Sequence, residues 1–555
     1  MVDNMNKRLR LRYDRILICI VALVVMVLLL LNSLIFLIKK INPEMKKVYL
    51  ASTSSNVELY DSDKNQVDKV LRGTEALFYV DSKEDEFAKI KINNKKYYVK
   101  KSAITNDYSD VILNEKIYVR TMTTLLSDNT KIESIIPKGT ELNIIGFDKL
   151  ENGSPLKYKV AYNEHEGYVS SKYLVDSKEE SLKNYDEEGT YKIHAAKSST
   201  YGGKAGELDF YPREKPKFEK NQMPEKVRAL YLNVSAIRNV DKYIELAKNT
   251  KVNAFVVDIK DDSLAYKSEV SKSITPTSYK NAISSVENYK NYIQKLKDNG
   301  YYVIGRITLF KDLSYAKDNI KDAITDNYGN FYKHNGSYWP SAYSTNVWEY
   351  NINLAVEAVD LFGFNEIQFD YVRFPDGTST AESNKTINLK NTYKISKLQA
   401  IQTFLMYATD ILHEKGVYIS ADVFGESAHQ YINSYGQYWG AISNVVDVIS
   451  AMPYPDHFLA HQYGMEEVVW TNPYRLLYIW ASQYAMKRQS EIPTPAIMRT
   501  WIQAYNTSKS PSVIYGPEKI KEQIKGLEDA GALGGYMTWS ASSYIPKYEE
   551  IVGAL

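Results

Sequence analysis

Two carboxylates end apolar stretches of this chain. The run Asn365-Glu366-Ile367-Gln368-Phe369-Asp370-Tyr371-Val372-Arg373-Phe374-Pro375 carries the first, Asp370, and Ala421-Asp422-Val423-Phe424-Gly425 the second. A pair of acids flanking a scissile bond is the machinery of glycoside hydrolysis: one protonates the leaving oxygen, and the other acts as nucleophile or base. Close apposition raises the pKa of one member, as the acid requires at neutral pH. A separation of about 5 Å implies a retaining mechanism and a clearly wider one an inverting mechanism. Glu426, just beyond Asp422, is a rival for the acid. The plainer alternative for Asp370 is an ion pair with Arg373 or a cap on the next loop.

For the two aspartates to meet, both must project inward from neighbouring strands. Side chains alternate along a strand, so Gln368 and Asp370 share one face and Ile367, Phe369 and Tyr371 the other. Pro375 cannot donate to a ladder and ends the run. Eight apolar runs occur beyond residue 225, at 227–234, 254–259, 302–309, 366–371, 417–423, 446–452, 495–500 and 534–539. Helix-like stretches lie between them, at 240–248, 288–299, 347–361, 396–414 and 517–530. Strands that alternate with helices imply a parallel sheet, and eight of them favour a closed (β/α)8 TIM barrel, an α/β fold. An open doubly wound sheet usually carries a glycine-rich loop after its first strand. Here Asn233-Val234-Ser235-Ala236-Ile237-Arg238 follows, without glycine.

Barrel strands are buried, so polar residues near their C-terminal ends mark the mouth. They are Asp258 and Lys260 with Asp261 and Asp262, Arg306 and Thr308, Gln368 and Asp370, Ser420 and Asp422, Ser450, Arg499, and Thr538 with Trp539. Asp258, Lys260, Arg306, Gln368, Tyr371, Arg373, Tyr454, His457 and Trp539 are expected to contact substrate or orient the acids. A buried pair between Asp258 and Lys260 or Arg306 would be purely structural. Trp339, Tyr343, Tyr371, Phe374, Tyr454, Trp501 and Trp539 supply aromatic faces on which a pyranose ring can stack, or else they pack. His457 and His461 have the spacing of two metal ligands on a helical turn. They lack the glutamate that follows the first histidine in zinc proteases, and Pro455 favours a loop, so no metal is expected. Neither a nucleophile elbow nor a phosphate-binding glycine loop is present, and no cofactor is implied.

At 555 residues and a net charge of +2 the chain should hold several modules and is not a dedicated nucleic-acid binder. A basic tail, residues 1–15, precedes residues 16–38, which carry no charge and are long enough to span a bilayer. The apolar run passes into Lys39-Lys40 with no small-residue cleavage site, so an uncleaved anchor is expected, with the N-terminus cytoplasmic and the bulk of the chain extracytoplasmic. Cys19, the single cysteine, lies within that span. Residues 46–108 and 109–175 form two similar units of short alternating runs, containing Val70-Leu71-Arg72-Gly73-Thr74-Glu75 and Ile136-Pro137-Lys138-Gly139-Thr140-Glu141. Residues 176–225 turn polar and read as a linker. The barrel then occupies 226–555.

The Gly-Thr turns and terminal Tyr-Val strands of the two small units resemble bacterial SH3-like domains, which implies wall peptides or glycans as partners. Spacers that lift the barrel off the membrane are the alternative. The motifs Val257-Asp258-Ile259-Lys260-Asp261-Asp262, Arg306-Ile307-Thr308-Leu309-Phe310-Lys311-Asp312, the run around Asp370, the run around Asp422 and Met452-Pro453-Tyr454-Pro455 resemble a bacterial glycoside-hydrolase family distantly related to the amylase-like barrels. In amylase-like barrels the nucleophile is an aspartate ending the fourth strand, which matches Asp370. Their acid is a glutamate after the fifth strand, where this chain has Asp422 and, a turn later, Glu426. A Ser-His pair would follow Tyr454-Pro455 in that family; Asp456-His457 stands here, so only His457 matches. Together with the expected anchor, the resemblances point to a membrane-anchored hydrolase of a cell-wall or capsule polysaccharide. The alternative from another class is a wall-binding or assembly protein whose barrel holds glycan without cleaving it.

Overall fold

The computed structural model describes residues 2–41, 44–51, 56–80, 86–112, 116–128, 130–148, 150–151, 154–185 and 203–555. Helix α1 spans Val2–Ile41 and contains the 20-residue stretch Arg15–Leu34 of mean hydropathy 3.1, long and apolar enough to cross a membrane. The chain forms two compact units, Met1–Ile117 with Leu142–Ala161 and Ser170–Lys172, and Tyr118–Glu141 with Tyr162–Val169 and Tyr173–Leu555.

Two seven-stranded antiparallel sheets follow the helix, as expected for two SH3-like domains. In the first, alternation along Phe87–Ile92 turns Ala88, Ile90 and Ile92 inward onto Val48, Leu50, Val57, Leu59 and Val99. The Gly-Thr turns explain the internal similarity. Gly73 and Gly139 both sit at φ +81°, a conformation that glycine adopts without a Cβ penalty. Gly73 N donates to Leu50 O at 2.6 Å, and Gly139 N donates to Val119 O at 2.7 Å. The adjacent hydroxyls, Thr74 and Thr140, close the turns onto Leu71 O and Pro137 O.

The barrel strands are β1 (Val227–Leu232), β2 (Ala254–Lys260), β3 (Tyr302–Thr308), β4 (Glu366–Asp370), β5 (Tyr418–Phe424), β6 (Val448–Met452), β7 (Ile497–Met498 continued by Thr500–Gln503) and β8 (Gly535–Trp539). All are parallel to their neighbours. They bond in the order β6-β5-β4-β3-β2-β1-β8, with Ile497–Met498 beyond β6 and Thr500–Gln503 beyond β8. Those outermost segments are the two halves of β7 around Arg499, so the nine-segment sheet is nearly closed into the expected barrel. Gly535 permits the approach of β8 to β1: it lies at φ +99°, and a Cβ there would fall 1.8 Å from Val227 O.

Helices α2 (Val240–Ala247), α3 (Val286–Asp298), α4 (Thr345–Phe362), α5 (Lys397–Glu414) and α6 (Pro517–Asp529) lie where apolar periodicity predicts them. Ser285 caps α3, and Ser396 with Gln399 forms a capping box on α5. Gly363, left-handed at φ +66°, ends α4 just before β4 begins. Of the expected linker, residues 186–202 lie outside the described residues. Beyond them Leu208 and Phe210 pack with Leu398, Ile432 and Tyr438, and Asn221 donates to Asn365 O and Gly416 O at the entrances to β4 and β5.

Candidate active site

Register decides which polar side chains share a level in the barrel. Arg306 stands opposite Asp258 on one side and Gln368 on the other, and Thr308 stands opposite Asp370. Gln368 and Phe369 pair with Ser420 and Ala421, so Asp370 and Asp422 occupy the next positions on adjacent strands. Neighbouring strands lie about 4.8 Å apart, which brings both acids to one patch at the C-terminal mouth.

Arg306 organises that patch. Its Nη2 lies 2.5 Å and its Nε 3.2 Å from Asp370 Oδ2. Its Nη1 reaches Asp258 Oδ1 at 2.7 Å and Asp261 Oδ1 at 3.4 Å. One buried guanidinium therefore serves three carboxylates. Asp370 also accepts from Tyr371 N at 2.6 Å, a bond formed as Tyr371 turns into the left-handed region at φ +49°. The same turn ends β4 and swings the tyrosine ring towards the mouth.

Asp422 sits in a contrasting environment. It is 1% exposed, its Oδ1 accepts from Trp501 Nε1 at 2.9 Å, and its Oδ2 accepts no hydrogen bond among the described residues. Burial and then the charge of Asp370 push its carboxyl well above the usual range, against the opposing pull of Arg306 and the Trp501 bond. Asp258 is wholly buried and accepts from Tyr231 OH at 2.6 Å; burial outweighs Arg306 and pushes its carboxyl up to about 7.

A cavity of about 280 Å3 opens over these groups. Asp370, Asp422, Arg306, Tyr371, Arg373, Tyr454, His457 and Trp539 line it, together with Asp261, Lys311, Phe424, Met452 and Trp501. Three expected contacts are placed elsewhere. Lys260 is buried against Asp312 at 2.7 Å, and Asp312 in turn caps the helix that begins at Leu313. Gln368 lies beneath the mouth, 3.4 Å from Ser450 Oγ and 3.3 Å from Met537 Sδ. Asp258 reaches the cavity only through Arg306. Glu426 lies apart from the two aspartates in a neighbouring cavity, where its oxygens accept from Tyr431 OH and Tyr435 OH at 2.5 and 3.0 Å.

Arg499, expected at the mouth, belongs instead to the opposite end. It forms a forked pair with Glu366 at 2.8 and 2.9 Å, and Tyr302 OH donates to the same carboxylate at 3.1 Å. Glu366 and Tyr302 open β4 and β3, so this cluster is the barrel floor. The plainer alternative for Asp370, a pair with Arg373, gives way to the pair with Arg306: Arg373 Nη1 holds Asp376 at 2.9 Å, and its guanidinium covers the Phe424 ring at 4.4 Å. Of the seven aromatic candidates, Tyr371, Tyr454, Trp501 and Trp539 line the cavity, while Trp339, Tyr343 and Phe374 are buried as packing. Sequence reasoning does not single out Lys311, Phe424 and Met452 as site residues, although Phe424 and Met452 end β5 and β6 and Lys311 stands three residues beyond the end of β3.

Residues 229–544 match the family model described as "Putative glycosyl hydrolase domain". Among solved structures, a hypothetical protein from Ruminiclostridium thermocellum ATCC 27405 is 32% identical over 35% of this chain and 97% of its own, with a TM-score of 0.29. The PgaB (BpsB) glycoside hydrolase domain from Bordetella bronchiseptica is 11% identical over 57% of this chain and 95% of its own, with a TM-score of 0.41. No curated protein matches the chain. The family model spans more than half of the sequence, from within β1 to beyond the end of β8, and on that match the chain belongs to the family of that description.

Proposed function

We propose that the barrel hydrolyses O-glycosidic bonds with Asp422 as general acid and Asp370 as nucleophile or base. The observation that carries this reading is the contrast between two carboxyls on adjacent strands. Asp370 faces a guanidinium, while Asp422 is buried and held towards its protonated form. Asp422 would transfer its proton to the leaving oxygen as the bond to the anomeric carbon breaks. Asp370 would either bond to that carbon, for later release by water, or take a proton from an attacking water. Arg306 and Trp501 would orient the two acids, and Tyr371, Tyr454 and Trp539 would flank the sugar. Glu426, held by two phenols in the neighbouring cavity, is the weaker candidate for the acid.

The same proposal places the protein at a membrane. The apolar helix would anchor it with the N-terminus cytoplasmic, the two SH3-like units (46–108 and 109–175) would bind cell wall, and the barrel (226–555) would act on a wall or capsule polysaccharide. Tethering would raise the effective concentration of polymer at the site. The test is reducing-sugar release from purified wall and capsule polysaccharides by the detergent-solubilised chain, beside Asp370→Asn and Asp422→Asn. Release by the wild type that both variants lose is expected. No release from any glycan, with binding intact in all three proteins, would replace the hydrolase by a glycan-binding barrel.

A further inference from the structure

Beside the catalytic cavity lies a second and larger one, of about 690 Å3. The two share Phe424, Met452 and His457 as common wall, so they are compartments of one cleft. The shared wall is built rather than incidental. Gly425 abuts Pro453 so closely that a Cβ would fall 2.9 Å from the Pro453 Cα, and Gly425 O accepts from the buried Trp480 Nε1 at 2.8 Å. The loop after β5 is thereby fixed against the loop after β6.

The chemistry of the second compartment suits a carbohydrate. Tyr431 is 45% exposed and its ring is stacked on His429 at 5.7 Å and 10°, which forms a flat aromatic platform. His429 is itself held, with Nδ1 at 2.9 Å from Glu426 O and Nε2 at 2.9 Å from Tyr463 OH. Hydrogen-bonding groups surround the platform: Glu426, Asp376 and Asp456 offer acceptors, and Lys509 offers donors. A platform with a polar rim fits a sugar's apolar face and hydroxyl edge.

We propose that this compartment binds the continuing chain of the substrate, so that the protein takes a glycan of at least four units rather than a disaccharide. The inference rests on the reading of the first cavity as the cleavage site. A hexose residue occupies roughly 200 Å3 at the density of organic solids. The catalytic cavity therefore holds about one unit and its neighbour about three. Tyr431 supplies the stacking surface and Lys509 contacts the hydroxyls.

The test uses the full chain in detergent and an array of purified bacterial oligosaccharides of about two to eight units, with binding and cleavage measured on the same glycans. For the composition bound best, affinity should rise about tenfold or more from two units to four and then level off, the size of one good aromatic or hydrogen-bond contact per step. Tyr431→Ala and Lys509→Met should each lose most of that rise, and Tyr431→Phe, which keeps the ring, should retain it. Tryptophan fluorescence checks that the variants fold. A flat length profile, a profile unchanged in both variants, or no bound glycan overturns the proposal. Length-dependent binding without cleavage would instead sink the hydrolase and leave the cleft standing, whereas cleavage with a flat length profile would do the reverse.

Discussion

Replacement of Asp258 by Asn tests whether burial or the Arg306 guanidinium controls that carboxyl. Asp258 is wholly buried, 2.7 Å from Arg306 Nη1, and Arg306 also serves Asp261 and Asp370. With its counter-charge divided, the carboxyl is pushed by burial from an ordinary 3.8 up to about 7. The folded state thus holds the proton more tightly than the unfolded chain does. The associated stability is complete below the unfolded value of 3.8 and is lost as pH rises through about 7. A pKa difference of about 3 corresponds to about 4 kcal/mol. Asparagine cannot ionise, yet it keeps an acceptor for Tyr231 OH. The stability of the wild type relative to Asp258→Asn should therefore fall by about 4 kcal/mol between about pH 4 and about pH 8.5.

Urea denaturation followed by tryptophan fluorescence measures this directly. The seven tryptophans all lie between positions 339 and 539, so the signal reports the barrel and not the SH3-like units. A stability difference that stays constant with pH would show that burial does not raise the Asp258 carboxyl. A wild type that gains on the variant as pH rises from about 2 to about 4, with no loss above it, would show that Arg306 wins, and would refute the argument that one guanidinium is too little for three acids.

Other outcomes follow from the same contacts. Arg306→Met leaves three carboxylates without their shared cation and should cost about 3–5 kcal/mol at neutral pH, less in acid where the acids protonate, read by the same denaturation assay. Trp501→Phe removes the N–H that favours the charged form of Asp422, so the alkaline limb of the kcat profile should move to higher pH with KM changed much less. Gly535→Ala would set a Cβ against Val227 O at 1.8 Å in a left-handed conformation; a loss of about 3 kcal/mol or more, or failure to fold, is expected in thermal melts.

The fold was legible because its signals are local. An apolar run of strand length, a Ser or Gly cap and an amphipathic stretch are read within a dozen or so residues, and helices α2 to α6 fall within two residues of their expected bounds at both ends. The least accurate strand is β7, expected at 495–500 and found at Ile497–Met498 and Thr500–Gln503. Arg499 looks like the polar end of an apolar run. It is instead the midpoint, tolerated there because Glu366 from β4 neutralises it in the barrel floor.

The site was legible in phase but not in depth. Alternation correctly puts Gln368 and Asp370 on one inward face, but Glu366 shares that phase, and nothing local says that the three occupy floor, middle and mouth. Height along the barrel is set by the stagger between strands, a property of the closed sheet. Lys260 shows how one irregularity defeats the pattern. Strict alternation gives it the face of Asp258, yet the ladder shifts between them, so that Asp258 pairs with Arg306 and Lys260 with Ile307. A shift of that kind re-aims the side chain, here towards Asp312 on the outer side of the barrel. The contrast between Asp370 and Asp422, on which the proposed roles rest, is likewise set by surroundings, not residue type. Both are aspartates at strand ends, and only the assembled barrel gives one of them Arg306 and leaves the other a single indole N–H.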